Sequence, residues 1–309
     1  MSEYHTSVLL KESIEALNIK EDGIYIDATA GGGGHSAEIL KNLSEKAKLV
    51  LIDRDPDAIS EISKRFAGDK RVTIVRDNYK NIISVLNHLN IEQVDGIIAD
   101  LGVSSHQLDT DSRGFSFHKN APLDMRMSKD GISAKDIVNT YEQEEIKRIL
   151  FEYADEKFAG KIANEIVNYR QNKEIETTFE LAEIVKNAYP QRERRKSHPA
   201  RKTFQALRIE VNGELTDLEF SVKNMFESLS VGGRLAIITF HSAEDRIVKN
   251  VFREFAQGCI CPPEFPVCVC GHKSQGKIIV RKKSPSEIET EKNTRAKSAR
   301  LRCIEKIYK

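Results

Sequence analysis

The first hundred residues alternate short apolar runs with amphipathic stretches, and this rhythm restricts the fold more than any other feature. Residues 23–27, 48–53, 71–75 and 94–100 read as strands, and residues 36–43, 57–66 and 79–89 carry helical spacing between them. Strands joined through helices run parallel, with helices covering both faces. Right-handed crossovers then lead to a doubly wound α/β sheet. The rhythm stops after Leu101. Residues 103–132 are loop-like, and residues 133–189 repeat apolar positions every three or four (Ile146, Ile149, Leu150; Ile162, Ile166, Tyr169; Leu181, Ile184, Val185). One long amphipathic helix is expected from about Arg201 to Leu229, before residues 230–240 restore a strand pattern. Residues 277–282 and 298–307 read as closing strands. With 309 residues, about two domains are expected. They would be a discontinuous α/β core of residues 1–105 and 206–309 and a helical insertion of residues 106–205.

Composition narrows the function classes. With 39% hydrophobic and 31% charged residues the chain is not mostly disordered. No stretch approaches the roughly 18 apolar residues of a membrane span. The N-terminal segment lacks a basic region followed by an apolar one, so no export signal is read and a cytoplasmic protein with no membrane partner is expected. The net charge of +1 hides an asymmetry: residues 277–309 hold 11 Lys/Arg against 4 Asp/Glu. A second basic block contains Arg192, Arg194, Arg195, Lys196, Arg201, Lys202 and Arg208. Such segments suit a polyanion such as nucleic acid, and equally a solvated helix face and a soluble tail.

A glycine turn, Gly31 to Gly34, follows the first strand and precedes a helix. Such a turn lets backbone approach a ligand, which then meets the N–H groups of the helix start. Asp53 ends the second strand 22 residues after Gly31, where a carboxylate can hold ribose hydroxyls. The alternatives are a plain tight turn and a helix N-cap at Asp53. Gly32, Gly34 and Ala37 satisfy a dinucleotide fingerprint, which keeps a nicotinamide oxidoreductase open. Asp27, four residues before Gly31, stands where class I S-adenosylmethionine-dependent methyltransferases place an acid. Gly232-Gly233 before an apolar strand resembles their fifth strand, and Tyr79 lies where they contact adenine.

Seven ordered motifs give a more specific resemblance. Residues 32–36 (GGGHS), 52–56 (IDRDP), 100–105 (DLGVSS), 113–117 (RGFSF), 122–127 (PLDMRM), 202–206 (KTFQA) and 240–246 (FHSAEDR) resemble the RsmH (MraW) family of bacterial small-subunit rRNA (cytosine-N4)-methyltransferases. The resemblance spans about Tyr4 to Leu301. It implies a class I methyltransferase (Rossmann-like) fold and an inserted helical domain that recognises RNA. It implies S-adenosylmethionine as donor and a cytidine N4 amine in the decoding region as acceptor, with small-subunit rRNA or the small subunit as partner. Cofactor contacts carried over by motif are Gly33, Gly34, His35, Asp53, Tyr79, Asp100 and Gln107. Tyr79 stands where the family often has Phe. The His35 side chain could instead cap the helix.

Methylating a conjugated amine requires in-line approach and acceptance of a proton. The proline-rich amine clamp of many amine methyltransferases is absent, since Asp100 is followed by Leu-Gly-Val. Asp124 and His241 are the candidate acid–base groups. Their structural alternatives are a partner of Arg126 and a hydrogen-bonded strand-end residue. Phe115 and Phe117 could stack on bases or pack a loop core. Cys259, Cys261, Cys268 and Cys270 form two C-x-C pairs around a proline turn, either a zinc site or reduced thiols on a surface excursion. Cys303 is expected to be packed. A ribosome-assembly factor with a vestigial pocket is the non-enzymatic alternative. Oligomeric state is open, a homodimer included.

Overall fold

The computed structural model describes residues 7–195, 198–262 and 264–308, which leaves Tyr4 and Lys196 outside the described residues. The chain forms two compact units, one of residues up to Gly102 and from Leu215 onward, the other from Val103 to Glu214.

The first unit opens with α1 (Leu10–Leu17), β1 (Ile24–Asp27), α2 (Gly34–Lys41), β2 (Lys48–Asp53), α3 (Pro56–Arg65), β3 (Val72–Arg76), α4 (Ile82–His88) and β4 (Val94–Asp100). The second unit contains α5 (Ser105–Asp109), α6 (Ala134–Thr140), α7 (Gln143–Ala154), α8 (Ala159–Arg170), α9 (Thr178–Ala188) and α10 (Ala200–Asn212). The first unit resumes with α11 (Leu218–Glu227), β5 (Leu229–Thr239), α12 (Ser242–Ala256), β6 (Gly276–Lys283), α13 (Glu287–Lys292) and β7 (Arg300–Lys306).

The seven strands form one sheet in the order β3-β2-β1-β4-β5-β7-β6. The first five are parallel, and β7 pairs antiparallel with both β5 and β6. The sheet is therefore mixed, not wholly parallel. The two closing strands exist, but β7 slots between β5 and β6. The central parallel strands carry apolar runs, such as Leu49 to Ile52 and Leu235 to Ile238, because both of their faces are covered. Ile26, Val50, Ile52, Ile97 and Ile237 enter one core, and Tyr25, Leu49, Leu51, Ile98 and Ile238 enter another on alternate positions. Strand order reverses between β1 and β4. In open α/β sheets that switch point, at the carboxyl ends of the strands, is where ligands bind.

The expected long helix is two helices, and the boundaries of the units differ accordingly. Gly213 adopts φ +58°, and its N–H and that of Glu214 close back onto Glu210 O and Ile209 O. This is a Schellman stop, which a left-handed glycine permits. Residues 206–212 thus complete α10, whose Phe204, Ala206 and Leu207 pack into the second unit's core beside Ile149, Ile162 and Leu181. The divisions fall at 102/103 and 214/215 rather than at 105/106 and 205/206.

Candidate functional site

The tips of β1, β2 and β4 converge through hydrogen bonds that begin in the glycine turn. Gly33, at φ +74°, turns the chain into α2, whose first residue is Gly34. A Cβ on Gly33 would lie 2.7 Å from Phe66 Cε2, so the position excludes a side chain twice over. The Gly31 N–H donates to Asp53 Oδ2 at 2.8 Å, and the Asp55 N–H donates to Asp53 Oδ1 at 2.8 Å. Asp53 thus clasps the glycine turn to the tip of β2. It does not cap α3; Asp55 does, accepting from Asp57 N–H ahead of Pro56 at the first helical position. Burial raises the pKa of Asp53. The Asp77 N–H donates to Asp53 O and ties in the end of β3, after which Tyr79 begins a 3-10 turn at the edge of the core.

A second set of acids surrounds the switch point. Asp27, 2% exposed, accepts from Ser36 Oγ at 2.5 Å and from Thr29 N–H at 3.3 Å. Burial lifts its pKa to about 6. The Asp100 N–H donates to Thr29 Oγ1 at 2.6 Å, joining β4 to the loop after β1. Asp100 Oδ1 is buried with no hydrogen-bond partner among the described residues. Its Oδ2 lies 3.9 Å from His35 Nδ1. Burial, then the charges of Asp27 and Glu244, hold the Asp100 carboxyl well above the usual carboxylate range. His35 is 5% exposed and does not cap α2: its Nε2 lies 3.2 Å from Val8 O. A carbonyl only accepts, so that nitrogen carries the proton.

His241 ends the β5 turn as the N-cap of α12 and forms a capping box with Glu244. Its Nδ1 accepts from Glu244 N–H at 3.4 Å, while Glu244 Oε2 accepts from Phe240 N–H at 2.9 Å. His241 Nε2 is 3.1 Å from Glu244 Oε1 without hydrogen-bond alignment, and has no hydrogen-bond partner among the described residues.

Gln107 and Asp124 belong to the second unit. Gln107 Oε1 accepts from Ser104 N–H in the capping box of α5. Asp124 accepts from the Arg126 backbone at 2.8 Å and from its guanidinium at 2.7 Å, the structural alternative weighed for it. Phe115 is buried in the core, and Phe117 stacks on His198 at 4.3 Å and meets Phe204 edge-on. Both act as loop packing here. The basic segments divide similarly. Arg208 pairs with Glu214, Arg194 donates to Tyr189 O, and Arg302 is buried against Asp245. Arg192, Arg201, Lys282, Lys283 and Lys297 are exposed. The four clustered cysteines come together between α12 and β6, and Cys303 is buried, its thiol pushed up to about 12.

A family model described as the MraW methylase family matches residues 2–307. The chain belongs to this family. It is 54% identical over 305 residues to the ribosomal RNA small subunit methyltransferase H of Clostridium botulinum (strain Kyoto / Type A2), covering 98% of this chain and 99% of that protein. Ribosomal RNA small subunit methyltransferase H 2 of Agathobacter rectalis is 54% identical over 308 residues, with 98% of both chains covered. The Finegoldia magna ribosomal RNA small subunit methyltransferase H is 52% identical over 309 residues, again with 98% of both covered. The sheet order, with β7 antiparallel between β5 and β6, agrees with the class I methyltransferase fold that the sequence resemblance implies.

Within this family member, sequence reasoning missed three groups that build the site. Thr29 and Ser36 supply the hydroxyls that position Asp100 and Asp27. Glu244 adds a carboxylate 1% exposed. Its signal was present: it stands three residues after His241, the spacing of a capping box, inside a motif already singled out.

Proposed function

We propose that the chain methylates the exocyclic N4 amine of a cytidine in the decoding region of small-subunit rRNA, with S-adenosylmethionine as donor and in the cytoplasm. The observation that carries the donor assignment is the buried acid group at the switch point: Asp27, Asp100 and Glu244, with Asp100 Oδ1 unpartnered. A carboxyl whose pKa is raised by burial and by the charges of two neighbouring acids fits a ligand bearing ammonium and sulfonium charges. The acids repel the pyrophosphate of a nicotinamide cofactor, which disfavours the oxidoreductase alternative. The names of the relatives, at 52–54% identity over nearly full length, support the rRNA acceptor.

When bound, the donor supplies a methyl group already activated for in-line displacement. Gly33, Gly34 and His35 would shape the turn beside it, Asp53 would accept from ribose hydroxyls, and Tyr79 would pack against the adenine. Asp100 would accept from the ligand's ammonium group. Gln107 is the weaker member of the set, because its side-chain oxygen is already used within α5. Of the two acid–base candidates, His241 is favoured over Asp124. Asp124 is neutralised by Arg126, whereas His241 Nε2, which carries the ring proton because Nδ1 accepts from Glu244 N–H, is not hydrogen-bonded among the described residues and could donate to an acceptor atom of the target base. The second unit and the exposed lysines and arginines would hold phosphates, which position RNA without reading its sequence.

The test is transfer of radiolabel from S-adenosylmethionine to small subunits that lack the modification, followed by identification of the labelled nucleoside. Label in N4-methylcytidine is expected. No label, despite demonstrated donor binding, would overturn the acceptor and favour the assembly-factor reading.

A further inference from the structure

Among its described residues, the segment between α12 and β6 has no core of its own. Its apolar side chains face outward: Ile260, Phe265, Val267 and Val269 are 55%, 51%, 68% and 72% exposed. Its base is fastened, with Gln275 N–H on Phe255 O and Ser274 Oγ on Gly276 O. Beyond that base, the segment turns inward on sulfur. One Sγ atom from each of Cys259, Cys261, Cys268 and Cys270 lies within 4.8 Å of the other three. Cys268 Sγ is 3.6 Å from Cys270 Sγ, and Cys270 Sγ is 3.8 Å from Cys259 Sγ.

Those separations have a chemical meaning. Four sulfurs about 2.3 Å from a central zinc sit about 3.8 Å apart along each tetrahedral edge. Backbone amides also point at the sulfurs. Val269 N–H donates to Cys261 Sγ at 3.3 Å, and Cys261 N–H to Cys259 Sγ at 3.4 Å. Ile260 and His272 N–H both donate to Cys270 Sγ at 3.4 Å. Amide donors stabilise thiolates, which are the ligand form, and orient them toward one centre. His272 Nδ1, 2.6 Å from Gly258 O, closes the segment on itself rather than joining the sulfurs.

We propose that Cys259, Cys261, Cys268 and Cys270 bind one zinc ion in a closed tetrahedral site. Coordination displaces the thiol protons and replaces the missing apolar core, so the segment's order depends on the metal. With all four positions filled by protein, the ion is structural and takes no part in methyl transfer. This inference stands independently of the nucleoside site.

The test is elemental analysis of untagged, full-length protein purified without chelator, reading zinc, iron and copper together. One zinc per chain is expected, released as the thiols are titrated with a mercurial. Cys261→Ser and Cys268→Ser should each lower zinc content about tenfold or more, while Cys303→Ser retains it. The parent protein decides the matter even if a variant fails to fold. Chelator-stripped parent should bind one cobalt(II) with the absorption of tetrahedral thiolate coordination. Iron or copper in place of zinc overturns the proposal. So does metal-free protein with the four clustered thiols reactive that takes up no cobalt, and so does zinc retained by both serine variants.

Discussion

Asp53→Ala separates the two jobs assigned to one carboxylate. Asp53 holds the Gly31 and Asp55 N–H groups at 2.8 Å each, and the proposed function adds two ribose hydroxyls. Hydrogen bonds to a charged acceptor are worth about 1.5–3 kcal/mol each, and water recovers part of that at a half-buried site. Loss of the ribose contacts should therefore cost on the order of 3 kcal/mol, or about 100-fold in affinity. Calorimetry with S-adenosylhomocysteine reads that loss. A ligand lacking both ribose hydroxyls completes a double-mutant cycle. The parent should bind it about 100-fold more weakly than the natural ligand, and Asp53→Ala should bind the two ligands nearly equally. If the variant still discriminates between them as strongly as the parent, the losses add. Asp53 then acts only through the Gly31 turn, and the ribose assignment is wrong.

Gly33→Ala combines a left-handed backbone with a 2.7 Å approach to Phe66, so a loss of about 1–3 kcal/mol is expected in thermal unfolding; Phe66→Ala should restore part but not all. Asp27→Asn tests a pH dependence. A folded pKa near 6 lies above the unfolded value, so Asp27 contributes stability below about pH 4 that is lost as pH rises through 6. The stability of the variant relative to the parent should rise between pH 4 and pH 8 by on the order of 3 kcal/mol in ligand-free denaturation, and a flat difference would count against the buried acid. Asp245→Ala should cost about 3–5 kcal/mol in urea unfolding, because Arg302, 6% exposed, loses a two-point pairing; Arg302→Met on top should recover part, and additive losses would refute the coupling.

The parallel strands were legible because burial on both faces leaves nearly unbroken apolar runs, such as Leu49 to Ile52. The position of β7 was not. Its pairing with β5 and β6 is a long-range choice, and its own residues mark a strand without naming its neighbours. The missed helix break had a local signal in Gly213. Leu215 and Leu218 continue an apolar pattern beyond it, however, and a single glycine is tolerated in many helices.

The acids show why sites are harder to read than folds. Asp53 and Asp55 are both acidic residues at the end of one strand, yet one clasps the glycine turn and the other caps α3. Pro56 decides between them, since the residue before a first-position proline is the natural cap. Asp27, Asp100 and Glu244 come from three distant segments, and each is unremarkable alone. Their joint burial is what raises the Asp100 pKa, and that burial exists only after β1, β4 and α12 have packed. Asp124 is the converse. It sits in a motif as distinctive as the others, but its neighbour two residues on consumes its charge. Sequence spacing thus found the acids at strand tips, while the distinction between a group committed to structure and one left open to a ligand depended on which hydrogen bonds the fold completes.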